Sequence, residues 1–413
     1  MIKETRITLK NVKKINPEKI EEYIQAGGYR ALQKALAQKP ETIIDEMLQS
    51  SLRGRGGAGF STGLKEKFTS DSCKTCTDRF IICNADEGEP GTFKDRIIME
   101  RDPHLLIEGM IIAGYSIGAT RAYIYIRGEY YQSIKRVELA IKQAKKAGYI
   151  GQNILGSGYS LDFEIRLGAG SYLCGEELTL LESLEGKQGF PRIKPPFPAE
   201  KGLFGLPTLV NNVETLATIP AIIEKGAKWY LTLGSKDSPG TKIFTLSGDV
   251  KKPGYYEVEM GASLRTLIYD LGGGIKDGGT FKAALLGGAA GTFVDQSVLD
   301  TPMSYDLLKE KGAVLGSGAI IVISESRSLH EMTRSILDFF KHESCGKCVP
   351  CRIGTAHLVQ MFQEFTTKTS ETKPTLDDMI KKAEYMSKTS LCPLGQSPIL
   401  PLRSLKQYFS NQF

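Results

Sequence analysis

The chain has 413 residues, enough for two to four domains at about 150 residues each, and its formal net charge of +6 is spread along it without a Lys/Arg block. That distribution gives nucleic-acid binding little support and suits nucleotide phosphates or an acidic partner surface. The charged start "MIKETRITLKNVKKI" has no apolar core and no apolar run reaches the roughly 18 residues of a membrane span, so a cytoplasmic chain without direct membrane insertion is expected, any membrane association coming through partners.

A strand-like opening gives way to helices up to about residue 70: first "PEKIEEYIQAGGYRALQKAL", then "PETIIDEMLQSS", where Ile43, Ile44, Met47 and Leu48 recur at helical spacing behind Pro40. The second helix feeds "LRGRGGAGFSTGLK", residues 52–65, in which Gly54, Gly56 and Gly59 spell G-x-G-x-x-G. That pattern marks a dinucleotide fold only where a strand runs into it, because the turn then lies flat against a pyrophosphate. Here a helix runs into it. A phosphate loop of another kind, or a plain glycine loop, remains.

From about residue 79 short apolar runs ("RFIICNADE", "RAYIYIRGEY", "LDFEIRLGAG") alternate with helical stretches such as "PHLLIEGMIIAGYSIG". The alternation predicts an α/β domain over 71–239 with much parallel sheet, following the N-terminal helical segment and glycine loop of 1–70. Ligand groups belong at the ends of its strands, where "NADEGEPG" and "GAGSYLCGEE" fall. "RIKPPFPAEKGLFGLPTLVNN" reads as a long functional loop. Residues 240–326 read as a small α+β module of the β-grasp kind, and 327–413 as a helical bundle.

Eight cysteines are present, and without a secretion signal disulfides are not expected; clustered thiols then point to metal or redox chemistry. "ESCGKCVPC" spaces Cys345, Cys348 and Cys351 as C-x2-C-x2-C, and "SLCPLG" adds Cys392. A tight triplet plus a distant fourth thiol suits a [4Fe-4S] cluster; zinc, which usually takes two separated pairs, and inert buried thiols are the alternatives. Cys73 and Cys76 form a lone C-x-x-C to which no role is assigned, and Cys174, without a histidine nearby in sequence, reads as a small buried residue.

Taken in order, "LRGRGGAGFSTGLK", "NADEGEPGTFKDR", "GAGSYLCGEE", "KPPFPAEKGLFGLPTLVNNVET" and "ESCGKCVPCRIGT" resemble the NADH-binding flavoprotein subunit of respiratory complex I and its relatives in NAD-linked soluble hydrogenases and formate dehydrogenases, over nearly the whole chain. The resemblance implies a Rossmann-like FMN domain, a β-grasp domain and a bundle holding one [4Fe-4S] cluster. It implies that Gly54, Arg55, Gly56 and Lys65 meet FMN, with Asn84, Asp86, Glu87, Tyr172, Gly175, Glu176, Glu177, Asn211 and Asn212 closing its pocket. For NAD(H) as substrate it implies Gly57, Phe60, Phe68, Glu89, Lys194 and Phe197, the first two rings sandwiching adenine. Cys345, Cys348, Cys351 and Cys392 would ligate the cluster. The expected reaction is hydride transfer between NADH or NADPH and FMN, then single electrons to or from the cluster, with no catalytic acid or base because the cofactors carry the chemistry.

Three departures accompany the resemblance. Glu66 stands where relatives commonly have an aromatic, "CKTC" is unusual in its loop, and neither a thioredoxin-like N-terminal nor a ferredoxin-like C-terminal extension is seen. Further clusters are therefore expected on a thioredoxin-like [2Fe-2S] partner and on another iron–sulfur or catalytic redox subunit. Two other functions compete: a flavin and cluster relay that binds no nicotinamide, suggested by Glu66 and "CKTC", and a zinc-bearing scaffold.

Overall fold

The computed structural model describes residues 4–73, 76, 78–367 and 373–413. The first described residues form turns, not the expected strand: the carboxylate of Glu257 accepts the amides of Thr8 and Leu9, so a side chain takes the place of a β-ladder. Four helices follow, α1 (Ile20–Gln25), α2 (Arg30–Leu36), α3 (Pro40–Gln49) and α4 (Thr62–Asp71). Pro40 starts α3 at a position where its missing N–H costs nothing. Ser61 caps α4 by accepting the Leu64 amide.

The first sheet is built from β1 (Phe80–Ala85), β2 (Arg121–Arg127), β3 (Asp162–Gly168) and β4 (Thr208–Asn212), all parallel, in the order β3-β2-β1-β4. Between them run α5 (Lys94–Arg101), α6 (Pro103–Ile117), α7 (Tyr131–Lys146), α8 (Glu177–Leu184) and the short α9 (Pro198–Lys201), with α10 (Val213–Lys225) and α11 (Ala227–Tyr230) after β4. The long Pro/Gly-rich loop is thus ordered around α9. Helices α6 and α10 cross closely at Gly109, where a Cβ would stand 1.9 Å from the carbonyl oxygen of Leu216. Pro220, four residues on, has no N–H to offer that carbonyl.

Strand order reverses between β1 and β4, and in open α/β sheets that switch point, at the C-terminal ends of the strands, is where ligands bind. The N-terminal helices are no separate unit. Tyr23, Leu32 and Met47 share one apolar core with Ile81, Ile111 and Ile124 of the sheet domain.

After a two-strand turn, β5 (Gly234–Ser235) and β6 (Ser238–Pro239), a five-stranded sheet forms from β7 (Thr241–Gly248), β8 (Gly254–Glu259), β9 (Phe281–Leu286), β10 (Thr292–Val294) and β11 (Ala319–Ser324), in the order β10-β9-β11-β7-β8. Only β7 and β11 pair parallel; α12 (Tyr305–Glu310) lies before β11. A bundle of α13 (Leu329–His342), α14 (Val349–Thr367), α15 (Leu376–Thr389), α16 (Pro393–Gln396) and α17 (Ile399–Phe409) completes the fold. Contrary to the sequence expectation, one disulfide is present: Cys73 and Cys76, just past α4, are joined, their Cα atoms 5.5 Å apart. A C-x-x-C at a helix end brings two thiols within bridging range without help from the rest of the chain.

Candidate flavin, nucleotide and cluster sites

The glycine loop is pinned at both ends. Gly54 donates to the carbonyl of Phe60 at 2.8 Å, Arg53 bridges to Ser61, and Tyr305 donates its hydroxyl to the Gly54 carbonyl at 2.9 Å. Helix α3 leads in and α4 leads out, as the sequence predicts. Gly59 has φ +65°, and a Cβ on Gly63 would stand 2.5 Å from the Leu48 amide nitrogen, so the loop packs directly against the end of α3. Gly56 faces Asn212, whose Cβ lies 3.0 Å from where a side chain would begin. The Arg55 side chain leaves this group: it is fully buried and donates to the Tyr230 hydroxyl and the Pro239 carbonyl.

At the switch point Asn84 of β1 lies opposite Asn212 of β4, and Cys83 opposite Asn211. Asn84 donates to the Gly175 carbonyl at 2.7 Å, bringing the turn 172–175 over the strand ends. The Asn211 amide nitrogen and the Asp86 Oδ2 are buried and have no partner among the described residues. Buried polar atoms are almost always paired, so a donor and an acceptor left open on adjoining strand ends fit a polar ligand such as the flavin ring or its ribityl chain. Burial pushes the Asp86 carboxyl up to about 7. Glu87 behaves differently: its two oxygens accept the amides of Asp95 and Arg96, capping α5, and Tyr130 donates to it at 3.1 Å. Its side chain is thus committed to the protein. Glu89 accepts the Tyr172 hydroxyl at 2.6 Å and the Ala290 amide at 3.1 Å, joining the acidic turn to the second sheet. A cavity of about 540 Å³ opens beside this turn, lined by Glu87, Glu89, Arg127, Tyr172, Phe339 and Glu343 among others.

A buried ionic network, not foreseen as part of the site, stands behind these residues. Lys94 Nζ reaches Asp95 at 2.7 Å, Asn212 at 3.0 Å and Glu214 at 3.0 Å, and Lys242 reaches Glu214 at 3.2 Å. The two ammonium groups hold the Glu214 carboxyl below its usual range despite burial. Lys94 and Asp95 lie in "NADEGEPGTFKDR"; an adjacent Lys-Asp pair just ahead of the apolar run "IIM" was the available signal.

Of the nucleotide candidates, Phe60, Phe68, Lys194 and Phe197 lie on or beside α4 and α9, which pack on each other, whereas Glu89 stands apart against Tyr172 and Ala290 and Gly57 lies near Gly316 and Ser317. Lys65 and Lys194 both pair with Glu177, at 3.2 and 2.8 Å, and Lys194 also with Glu176 at 3.0 Å. Glu176 in turn caps α8 through the amides of Leu178 and Thr179. Phe60, Phe68 and Phe197 are 47, 51 and 51% exposed, unusual for large apolar rings and apt for a flat apolar ligand face. Glu66 points the other way. It is fully buried, accepts the Ser116 hydroxyl at 3.2 Å, leaves Oε1 unpartnered and is pushed up to about 8 by burial. The change from an aromatic therefore leaves the exposed rings untouched, and one ground for a relay without nicotinamide falls away.

In the bundle, Cys351 hydrogen-bonds toward Ser344 at 3.3 Å, and after burial the nearby Cys348 and Cys345 raise its thiol further. Burial brings Cys392 up to about 11, with Cys351 and Cys345 adding to the rise. Cys351 and Cys392 belong to one apolar core of the bundle, and Cys345 and Cys348 pack against it. Among the described residues no three metal-ligating side chains stand close enough together to hold a metal ion as they are. Cys174 is buried and its thiol raised by desolvation, an interior residue as expected.

A parallel sheet with open polar atoms at its switch point, joined to a bundle with four cysteines at one core, defines a nucleotide-binding redox protein with an iron–sulfur centre. Residues 47–221 match the Nuo51 FMN-binding domain family, 243–289 the SLBB domain and 331–413 the NADH-ubiquinone oxidoreductase-F iron-sulfur binding region. The chain is 45% identical over 408 residues to the F 2 subunit of NADH-quinone oxidoreductase from Rhizobium meliloti, covering 98% of this chain and 96% of that one. It is 44% identical over 411 residues to the HndC subunit of the NADP-reducing hydrogenase from Solidesulfovibrio fructosivorans (100% and 83%) and 48% over 387 residues to the F subunit of NADH-quinone oxidoreductase from Aquifex aeolicus (94% and 88%). A crystal structure of NAD+-reducing [NiFe]-hydrogenase in the H2-reduced state has a chain that matches with a TM-score of 0.85 at 36% identity; the match covers 99% of this chain and 66% of the hydrogenase chain. The chain belongs to the family of NADH-quinone oxidoreductase F subunits and their hydrogenase counterparts, flavoprotein oxidoreductases that work within larger complexes, with an FMN-binding domain and a [4Fe-4S] region. Among the described residues no helix is long and apolar enough to cross a membrane.

Proposed function

We propose that FMN is held at the β1/β4 switch point, with a nicotinamide nucleotide on its open side and the cluster behind the turn 172–175. FMN supplies the chemistry that converts a two-electron hydride into single electrons. The observation that carries the assignment is the pair of open, buried atoms, Asp86 Oδ2 and Asn211 Nδ2, at that switch point. Backbone amides of Gly56 and Gly57 and the Lys65 ammonium are the donors for the phosphate end; the Gly54 amide is taken by the Phe60 carbonyl and the Arg55 amide by the Thr215 hydroxyl, so these two residues serve by holding the loop's shape. Asn84, Gly175 and Tyr172 shape the pocket wall. Glu87 and Asn212 serve through the backbone they hold, because their side chains are committed to α5 and to Lys94. Glu176 and Glu177 keep Lys194 in place, and Phe60, Phe68, Phe197 and Glu89 receive the nucleotide.

The boundaries 71–239, 240–326 and 327–413 serve as working units, with 1–70 folded into the first. The relatives' names, which include quinone oxidoreductase and hydrogenase subunits, support a place in a larger redox complex; a thioredoxin-like [2Fe-2S] partner, another redox subunit and a cytoplasmic location complete the proposal. The site is tested by adding FMN to the flavin-free chain and following quenching of flavin fluorescence. Asn211→Ala, which removes one donor, weakens binding by about 1 kcal/mol, roughly fivefold. Unchanged affinity in both Asn211→Ala and Asp86→Ala would move the flavin elsewhere.

A further inference from the structure

The turn Tyr172–Gly175 is fastened at both ends, and its two fastenings belong to different halves of the molecule. On the sheet side, Asn84 at the tip of β1 donates to the Gly175 carbonyl at 2.7 Å, and the Tyr172 hydroxyl donates to Glu89 at 2.6 Å. On the bundle side, Leu173 is 3% exposed and belongs to the same apolar core as Cys351, Cys392 and Leu394. The Tyr172 ring meets Phe339 of α13 edge-on, centroids 4.9 Å apart. The Tyr172 amide donates to Glu343 Oε2 at 3.0 Å. Glu343 is the C-cap of α13, two residues ahead of Cys345.

We infer that Glu343 is a positioning residue that sets the spacing between the flavin pocket and the cluster. The inference rests on the assignment of those two sites above. Leu173 and Phe339 supply apolar packing, which is non-directional and tolerates sliding. A carboxylate accepting a backbone amide is a charge-assisted bond with a preferred distance and angle, so it fixes where the turn stops. Because the acceptor lies at the entry to the cysteine loop and the donor lies over the strand ends, one bond transmits the position of either site to the other. Electron passage between two fixed groups is sensitive to small displacements in the way other oriented transfers are.

The test uses the full chain carrying FMN and cluster, as wild type, Glu343→Ala and Glu343→Gln. Rapid anaerobic mixing with NADH follows flavin bleaching by absorbance and cluster reduction by freeze-quench EPR. Amide hydrogen exchange across residues 172–175 reads the tether itself. In Glu343→Ala cluster reduction slows by about tenfold relative to flavin bleaching, and exchange at Tyr172 accelerates. Glu343→Gln keeps a carbonyl acceptor and restores both. Wild-type cluster reduction in Glu343→Ala, or equal loss in the Ala and Gln variants, overturns the inference. If the Ala variant loses its iron, exchange in cluster-free chains decides: unchanged exchange at Tyr172 overturns it as well. A wild-type flavin that NADH does not bleach would overturn the nicotinamide assignment instead, and the exchange comparison would still judge the tether.

Discussion

Lys94 donates to the side-chain oxygen of Asn212 at 3.0 Å while the Asn212 amide nitrogen donates to Asp95 at 2.6 Å, so this amide has one orientation only. Asn212 also caps α10 and backs onto Gly56, which links the ionic network to both the sheet tip and the glycine loop. Lys94→Met leaves Asp95 and Glu214 buried with less compensating charge. Removing one partner of a buried pair costs about 3–5 kcal/mol. The urea midpoint of the variant falls accordingly, and FMN dissociates during gel filtration under conditions where wild type keeps it. An unchanged midpoint would show that Lys242 alone suffices for Glu214.

Glu66 gives the stability a pH dependence of known sign. Burial raises its folded pKa to about 8 from an ordinary 4.5, so the folded state keeps a proton that the unfolded chain has released. Its contribution is full below about pH 4.5 and declines by up to about 1.4 kcal/mol per unit as pH rises from there through about 8. Glu66→Gln removes that slope. Melting temperatures measured from pH 5 to 8 fall less steeply in the variant, which is the more stable protein at pH 8; parallel curves would mean that Glu66 is solvated.

Much of the site was legible in the sequence because short motifs fall at places physics singles out. "NADEGEPG" ends β1, "LVNN" ends β4, and the helix before the glycine loop, visible as Ile43, Ile44 and Met47, excluded a Rossmann fingerprint in advance. What could not be read was the direction in which side chains turn. Arg55 sits among loop glycines yet inserts into the interior beside Tyr230, and Glu87 caps a helix seven residues on, contacts that exist only once distant segments meet. The expected N-terminal strand failed because Glu257, remote in sequence, supplies the acceptors a ladder would have supplied. Glu343 and Lys94 escaped notice for the same reason, their partners being 171 and 118 residues away.

The proposed function assigns nucleotide stacking, not flavin binding, to the exposed rings near α4 and α9. Phe68→Ala and Phe197→Ala each weaken NADH binding by about 1–3 kcal/mol, the worth of stacking a base on an aromatic ring. The flavin content stays at the wild-type level. The check is the dissociation constant from flavin bleaching at increasing NADH, and unchanged values in both variants would remove the rings from the site.

Loss of one thiol separates the two centres. Cys348→Ser lowers bound iron and abolishes the reduced-cluster EPR signal, because cluster ligation takes thiolates from all four positions. Flavin stays bound and NADH still bleaches it, since Cys348 lies only partly buried in the bundle, away from the β1/β4 tip. Retention of the full EPR signal would assign the fourth ligand elsewhere.

The proposed function requires this chain itself to carry electrons between a nicotinamide and a bound flavin. Anaerobic titration of the purified, FMN-loaded chain with NADH and then NADPH, following the flavin absorbance band, tests it directly. Stoichiometric bleaching by one of the two nucleotides is the predicted result. A band that stays oxidised with both would make the chain a relay fed by another protein.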